Sequence, residues 1–123
     1  MNGDIQCLGN VNFDIEAWIN EGNMNSNNDA SIMSQGIIKN KGVLIFNSNL
    51  KMKAQSFANQ KQFSSKSAQL NIDDIFMNEG SVKMENGSIF AESLTNLRNM
   101  DLVGSSIITA HIFTTKNDFG FGD

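Results

Sequence analysis

The sequence predicts an all-β chain wound as a parallel β-helix, a solenoid of about six coils of ~19 residues. Three observations predict it. First, a marker residue recurs as Asn20, Asn40, Asn59, Asn78, Asn96 and, substituted, Thr115, at intervals of 20, 19, 19, 18 and 19. Second, large apolar residues keep the same period: Trp18, Ile38, Phe57, Phe76, Leu94 and Phe113 stand two places before each marker. Met24, Leu44, Phe63, Val82, Met100 and Phe119 stand four places after it, with Ile5 in line at the start. Third, between the markers apolar residues alternate with polar ones, as in Val11, Phe13, Ile15 and again in Ile108, Ala110, Ile112. Period two is a strand with one buried face, and a repeat this short buries that face only by stacking on its neighbours.

Each repeat then holds two or three short strands separated by turns. Asn20-Glu21-Gly22, Asn40-Lys41-Gly42 and Glu85-Asn86-Gly87 are turn material, supplying residues that tolerate positive φ. Gly3, Gly22, Gly42 and Gly80 form a column two places after the marker, which Lys61, Arg98 and Asn117 interrupt. Counting seven places back from each marker gives Phe13, Met33, Met52, Ile89 and Ile108, with one repeat out of step where Leu70 and Ile72 flank Asn71. Helical spacing is nowhere sustained for three turns, and the one helix-like stretch, 14–19, lies in register with strands elsewhere.

Coils ~4.8 Å apart turn aligned columns into ladders inside the stack. Trp18, Ile38, Phe57, Phe76, Leu94 and Phe113 are expected to line the interior, with stacked rings at Phe57 and Phe76. The asparagines form an amide ladder at a turn, or else are turn residues with no ladder. A leucine-rich solenoid competes on Leu94, Leu97, Met100 and Leu102, but that spacing occurs once. Residues 1–117 are expected to form the repeat domain and 118–123 a short tail.

Composition narrows the class further. At 123 residues with 40% apolar content the chain is one ordered domain. Cys7 is the single cysteine, so no internal disulfide framework exists, and Cys7 reads as a small buried residue. No apolar run approaches the ~18 residues of a membrane helix. No basic segment and apolar core follow Met1, so no signal peptide is visible, and any targeting signal is expected elsewhere. His111 is the single histidine, far from Cys7 in sequence, and is expected at the surface; no metal or thiol-catalytic constellation emerges. Asp73 and Asp74 invite comparison with carboxylate pairs that cleave glycans, but adjacent strand residues point to opposite faces unless they sit in a turn. No phosphate-binding glycine loop is present. The expectation is a non-enzymatic protein without metal or cofactor.

Charge is laid out in blocks. Residues 1–38 hold five acids and no Lys or Arg, residues 39–66 six lysines and no acid, and residues 67–123 eight acids against three bases. Lys39, Lys41, Lys51, Lys53, Lys61 and Lys66 are therefore the candidate polyanion site. With Met52 inward, Lys51 and Lys53 both point outward. The same lysines also serve simply as a solvated face that blunts edge pairing. Nucleic acid is not expected, since the net charge is −4 and few aromatics interleave with the bases.

The run from Asn40 to Asn59, with Gly42, Leu44, Asn49, Leu50, Met52, Ala54 and Phe57 in place, resembles the haemagglutinin repeat of filamentous haemagglutinin and of contact-dependent inhibition exoproteins. Asn78, Gly80, Val82, Ile89, Ala91, Leu94 and Asn96 give a second, weaker match. The period extends over about 1–117, whereas the specific match is confined to 40–96. The resemblance implies a right-handed β-helical filament, exported by an outer-membrane transporter and placed on the bacterial surface or secreted. It would act there as an adhesin or stalk against a host glycan or cell-surface receptor. A cytoplasmic, β-helical polymer-forming scaffold is the alternative. Neither end of the sequence reads as a cap, so the stack is expected to self-associate through its ends or to be stable only within a longer protein.

Overall fold

The structure is a computed structural model that describes residues 5–7, 11–104, 106–115 and 119–121; for 5–7, 11 and 119–121 only the backbone is described. Every described element is a strand, and every pairing between strands is parallel. The chain is a β-solenoid of about five turns, with partners ~19 residues apart, as the period predicts.

Each coil has three sides. On the first side β1 (Ile5–Cys7), β4 (Asn23–Ser26), the starts of β7 (Val43–Ala54), β9 (Gln62–Ile72) and β11 (Ser81–Asn96), then β12 (Asn99–Leu102) and β14 (Phe119–Phe121) lie in order. The second side carries β2 (Val11–Ile15), β5 (Ala30–Ser34), the later parts of β7 and β9, the middle of β11 and the start of β13 (Ile107–Thr115). The third carries β3 (Trp18–Asn20), β6 (Ile37–Asn40), β8 (Ser56–Asn59), β10 (Ile75–Asn78) and the ends of β11 and β13. Side chains alternate in and out along each side, and the alternation breaks only where β7 and β11 cross a corner, so one set of side chains fills the prism and the other faces out.

The predicted columns are rungs of the stack. Trp18 pairs with Ile38, Ile38 with Phe57, Phe57 with Phe76 and Phe76 with Leu94. All five are buried. The rings of Phe57 and Phe76 meet edge to face rather than stacked, 5.1 Å apart and 75° to each other, the arrangement ring quadrupoles favour. Phe113 departs from the expectation. Its strand pairs with Leu94, but the side chain is 43% exposed. β13 pairs only with β11, so among the described residues no further strand closes the core above it.

Met33 corrects the register. It faces outward, 49% exposed, and Ile32 pairs with Met52 in its place. Corner length explains the slip. Phe13 to Trp18, Met52 to Phe57 and Ile89 to Leu94 are five places, whereas Ile32 to Ile38 and Leu70 to Phe76 are six. The extra residue sits in the corners at Gln35-Gly36 and Asp73-Asp74, so Leu70 pairs in step with both Met52 and Ile89.

The turn glycines do a different job from the one expected. Among the described residues only Gly104 has positive φ. Gly42 and Gly80 are required by close approach instead: a Cβ there would lie 2.0 Å from the Gly22 carbonyl oxygen and 2.2 Å from that of Lys61, in the coil beneath. Ile5 pairs with Met24 and Phe119 with Met100, as their column predicts. Gly3, Asn117 and the side chains of Cys7 and Phe119 lie outside the described residues.

Candidate functional site

The asparagine column is a continuous ladder. Asn20 Nδ2 donates to Asn40 Oδ1 at 2.9 Å, Asn40 to Asn59 at 2.8 Å, Asn59 to Asn78 at 2.9 Å and Asn78 to Asn96 at 2.8 Å. Asn96 donates in turn to the Thr115 hydroxyl at 3.1 Å. The second amide proton goes to a backbone carbonyl one coil on, Gln62 for Asn40, Ser81 for Asn59 and Asn99 for Asn78. An amide carries both donors and an acceptor, so it repeats indefinitely along a stack, which a hydroxyl or carboxylate cannot do in the same way. The column is wholly buried and is therefore structural; it presents nothing to a ligand.

The outer surface is where a partner would be met, and the candidate lysines are spread around it. Lys51 and Lys53 both point outward on the second side, on either side of buried Met52, as the alternation requires. Lys39 lies on the third side, half-buried between Ile19 and Ala58 in register. Lys41 and Lys61 occupy the corner beside the ladder, where the Lys41 amide donates to the Asn20 carbonyl and the Lys61 carbonyl accepts from Ser81. Lys66 stands in the corner between first and second sides. It lines a shallow concavity with Lys83, Glu85 and Asn47. Only Lys51 and Lys53 therefore share a side, and the six do not form one patch. Lys83 beside Lys66 was not among the candidates; its outward position next to Met84 is the signal for it.

An open groove runs along the second side at Lys51 and Lys53. Its floor is the strand backbone over the small residues Ala30 and Ala68, and its walls carry Asn12, Ser31, Asn49, Ser67 and Gln69. Met33, Lys53 and Asn71 extend it toward the third side. The rim is held by side-chain bonds in the corner. Asp29 accepts from Ser48 Oγ at 2.8 Å, and Asn47 donates to both Asn25 and Asn27, at 3.1 and 2.7 Å. Among the described residues no carboxylate pairs with Lys51 or Lys53. The groove thus offers two ammonium groups, spaced by the strand repeat, among amides, hydroxyls and the Asp29 carboxylate at its rim.

Among the described residues the candidate His111, Asp73 and Asp74 are not brought together around one site. His111 is exposed in the corner between second and third sides, with its Nδ1 2.7 Å from Glu92. Asp73 and Asp74 sit in that corner one coil from Glu92 and two from His111, both exposed, their backbone amides bonded to the carbonyls of Ala54 and Gln55. Among the described residues no three His, Cys, Asp or Glu side chains group around a metal-sized space. No helix among them is long and apolar enough to cross a membrane. The fold defines the chain as a parallel β-solenoid. No known protein family, curated protein or solved structure matches it.

Proposed function

We propose that the chain is a non-enzymatic structural segment of a secreted or surface-exposed bacterial filament, exported through an outer-membrane transporter and serving as a stalk with an adhesive side. The observation that supports it is the stacking itself: among the described residues each coil pairs with the next in parallel, through corners of a few residues and with no long excursion that would wall a reaction cleft. Such a stack is a spacer whose outward side chains are free to vary. On the second side those side chains include Lys51 and Lys53 amid polar neighbours, a surface suited to an acidic or sulfated host glycan.

Retention on immobilised heparin tests the adhesive part. The wild type is expected to bind at low salt and elute as salt rises, because exposed charges are screened within ~10 Å at 0.1 M. Lys51→Gln with Lys53→Gln should lose most of that retention, and Lys41→Gln with Lys61→Gln should lose little. No retention at low salt would reduce the lysines to a solvated face.

A further inference from the structure

Phe90 stands two coils beyond Lys53 in one outward column of the second side, which runs Lys53, Asn71, Phe90 and Thr109. Coils repeat at ~4.8 Å, so the lysine and the phenylalanine are ~10 Å apart along the axis. The neighbouring column sets Lys51, Gln69 and Ser88 beside them. All of these side chains are exposed, and Phe90 is 56% exposed.

An exposed phenyl is ordinary by itself. Here its in-register neighbours, Asn71 and Thr109, are both polar, and it closes a strip with two cations at one end and carboxamides between. Carboxylates border that strip. Asp14 lies two coils before Lys53 in the same column, and Asp29 lies on the groove rim. Asp73 and Glu92 occupy the corner just past Asn71 and Phe90. The attraction for an anionic group is therefore concentrated at Lys51 and Lys53, and anything that continues past them toward Phe90 must meet the side with a neutral surface.

We infer that the second side binds an acidic polysaccharide laid along the solenoid axis, with an anionic group on Lys51 and Lys53 and a sugar ring on Phe90. A pyranose has this divided chemistry. Its face of slightly positive C–H groups packs on the negative face of a phenyl ring, and its hydroxyls match carboxamides such as Gln69 and Asn71, which both donate and accept. The two lysines are successive outward residues of one strand, roughly 6.6 Å apart, and serve one acidic group or two. A lysine is a point charge without the planar fork of arginine, so it takes sulfate and carboxylate alike. The ring, and not the charge, then separates a glycan from any other polyanion. The inference rests on the adhesive reading of this side and adds to it the residue that contacts the sugar.

Titration of the full chain with heparin over a range of salt tests it, beside an inorganic polyphosphate chain that has the charge but no sugar face. Phe90→Ala is expected to weaken heparin about five- to tenfold and to leave polyphosphate unchanged. That loss should be the same at every salt concentration, because ring contact is not screened. Lys51→Gln with Lys53→Gln should instead flatten the salt dependence for both polymers. Phe90→Trp should keep heparin binding, and Phe90→Leu, apolar but not aromatic, should lose it as alanine does. Phe90 faces outward, so each variant should keep the denaturation midpoint of the wild type. Unchanged heparin affinity in Phe90→Ala, or an equal loss for both polymers, overturns the ring contact; if the lysine pair still lowers heparin affinity, the adhesive reading stands. No heparin binding at low salt, or none lost with the lysine pair, overturns both.

Discussion

Asn59 shows how one side chain ties three coils together. It accepts from Asn40, donates to Asn78 and donates again to the Ser81 carbonyl, all without solvent contact. Its neighbours retain other partners, Asn40 through the Gln62 carbonyl and Asn78 through the Gly80 amide, which softens the loss. Asn59→Ala is therefore expected to cost about 2–4 kcal/mol, from unmade buried hydrogen bonds and the space left behind. Asn71→Ala, on an outward side chain of the neighbouring coil, should change stability by no more than about 0.5 kcal/mol. Urea denaturation midpoints of the two variants check this; equal midpoints would mean that the ladder contributes nothing. Phe76 belongs to the same coil as Asn78 and touches Phe57, so Phe76→Ala should cost about 3–5 kcal/mol by the same measurement.

The strands and their corners explain what could be read from the sequence and what could not. Period two along each strand fixes which side chains turn inward and the ~19-residue period aligns them, so the apolar column from Trp18 to Leu94 and the outward pair Lys51 and Lys53 were legible, whereas the asparagines were legible as a column but not yet as a ladder. Corners obey no such period. Their length changes by one between coils, which is why Met33 was counted inward although Ile32 holds that place. The column Ser26, Phe46, Ser65, Met84 and Leu102 was missed for a related reason: small polar and large apolar residues are mixed up the stack, so no single residue type repeats. The scattering of the lysines was equally hidden, because the side a residue faces depends on corner geometry. This difference makes a deletion prediction. Removing Gln35 gives the second coil the five-place corner that other coils already use, and should cost about 1–2 kcal/mol or less. Removing Lys53 leaves four places between Met52 and Phe57, a spacing no coil uses, and turns Ala54 outward. That variant should lose cooperative unfolding. A cooperative Lys53 deletion, or an unfolded Gln35 deletion, would show that the corners and not the strands set the register.

At the scale of the molecule, residues about 19 apart are stacked in parallel throughout the described residues. The cross-coil contacts of the ladder report it without any substitution. In a nuclear Overhauser experiment on the labelled protein, the carboxamide protons of Asn40 should contact the Asn59 side chain, and those of Asn59 the Asn78 side chain, with slowed solvent exchange. Backbone contacts should link Phe57 to Phe76 and Ala58 to Met77 in the same register. Contacts displaced by one residue, antiparallel contacts between neighbouring strands of the described chain, or freely exchanging Asn59 carboxamide protons would contradict it.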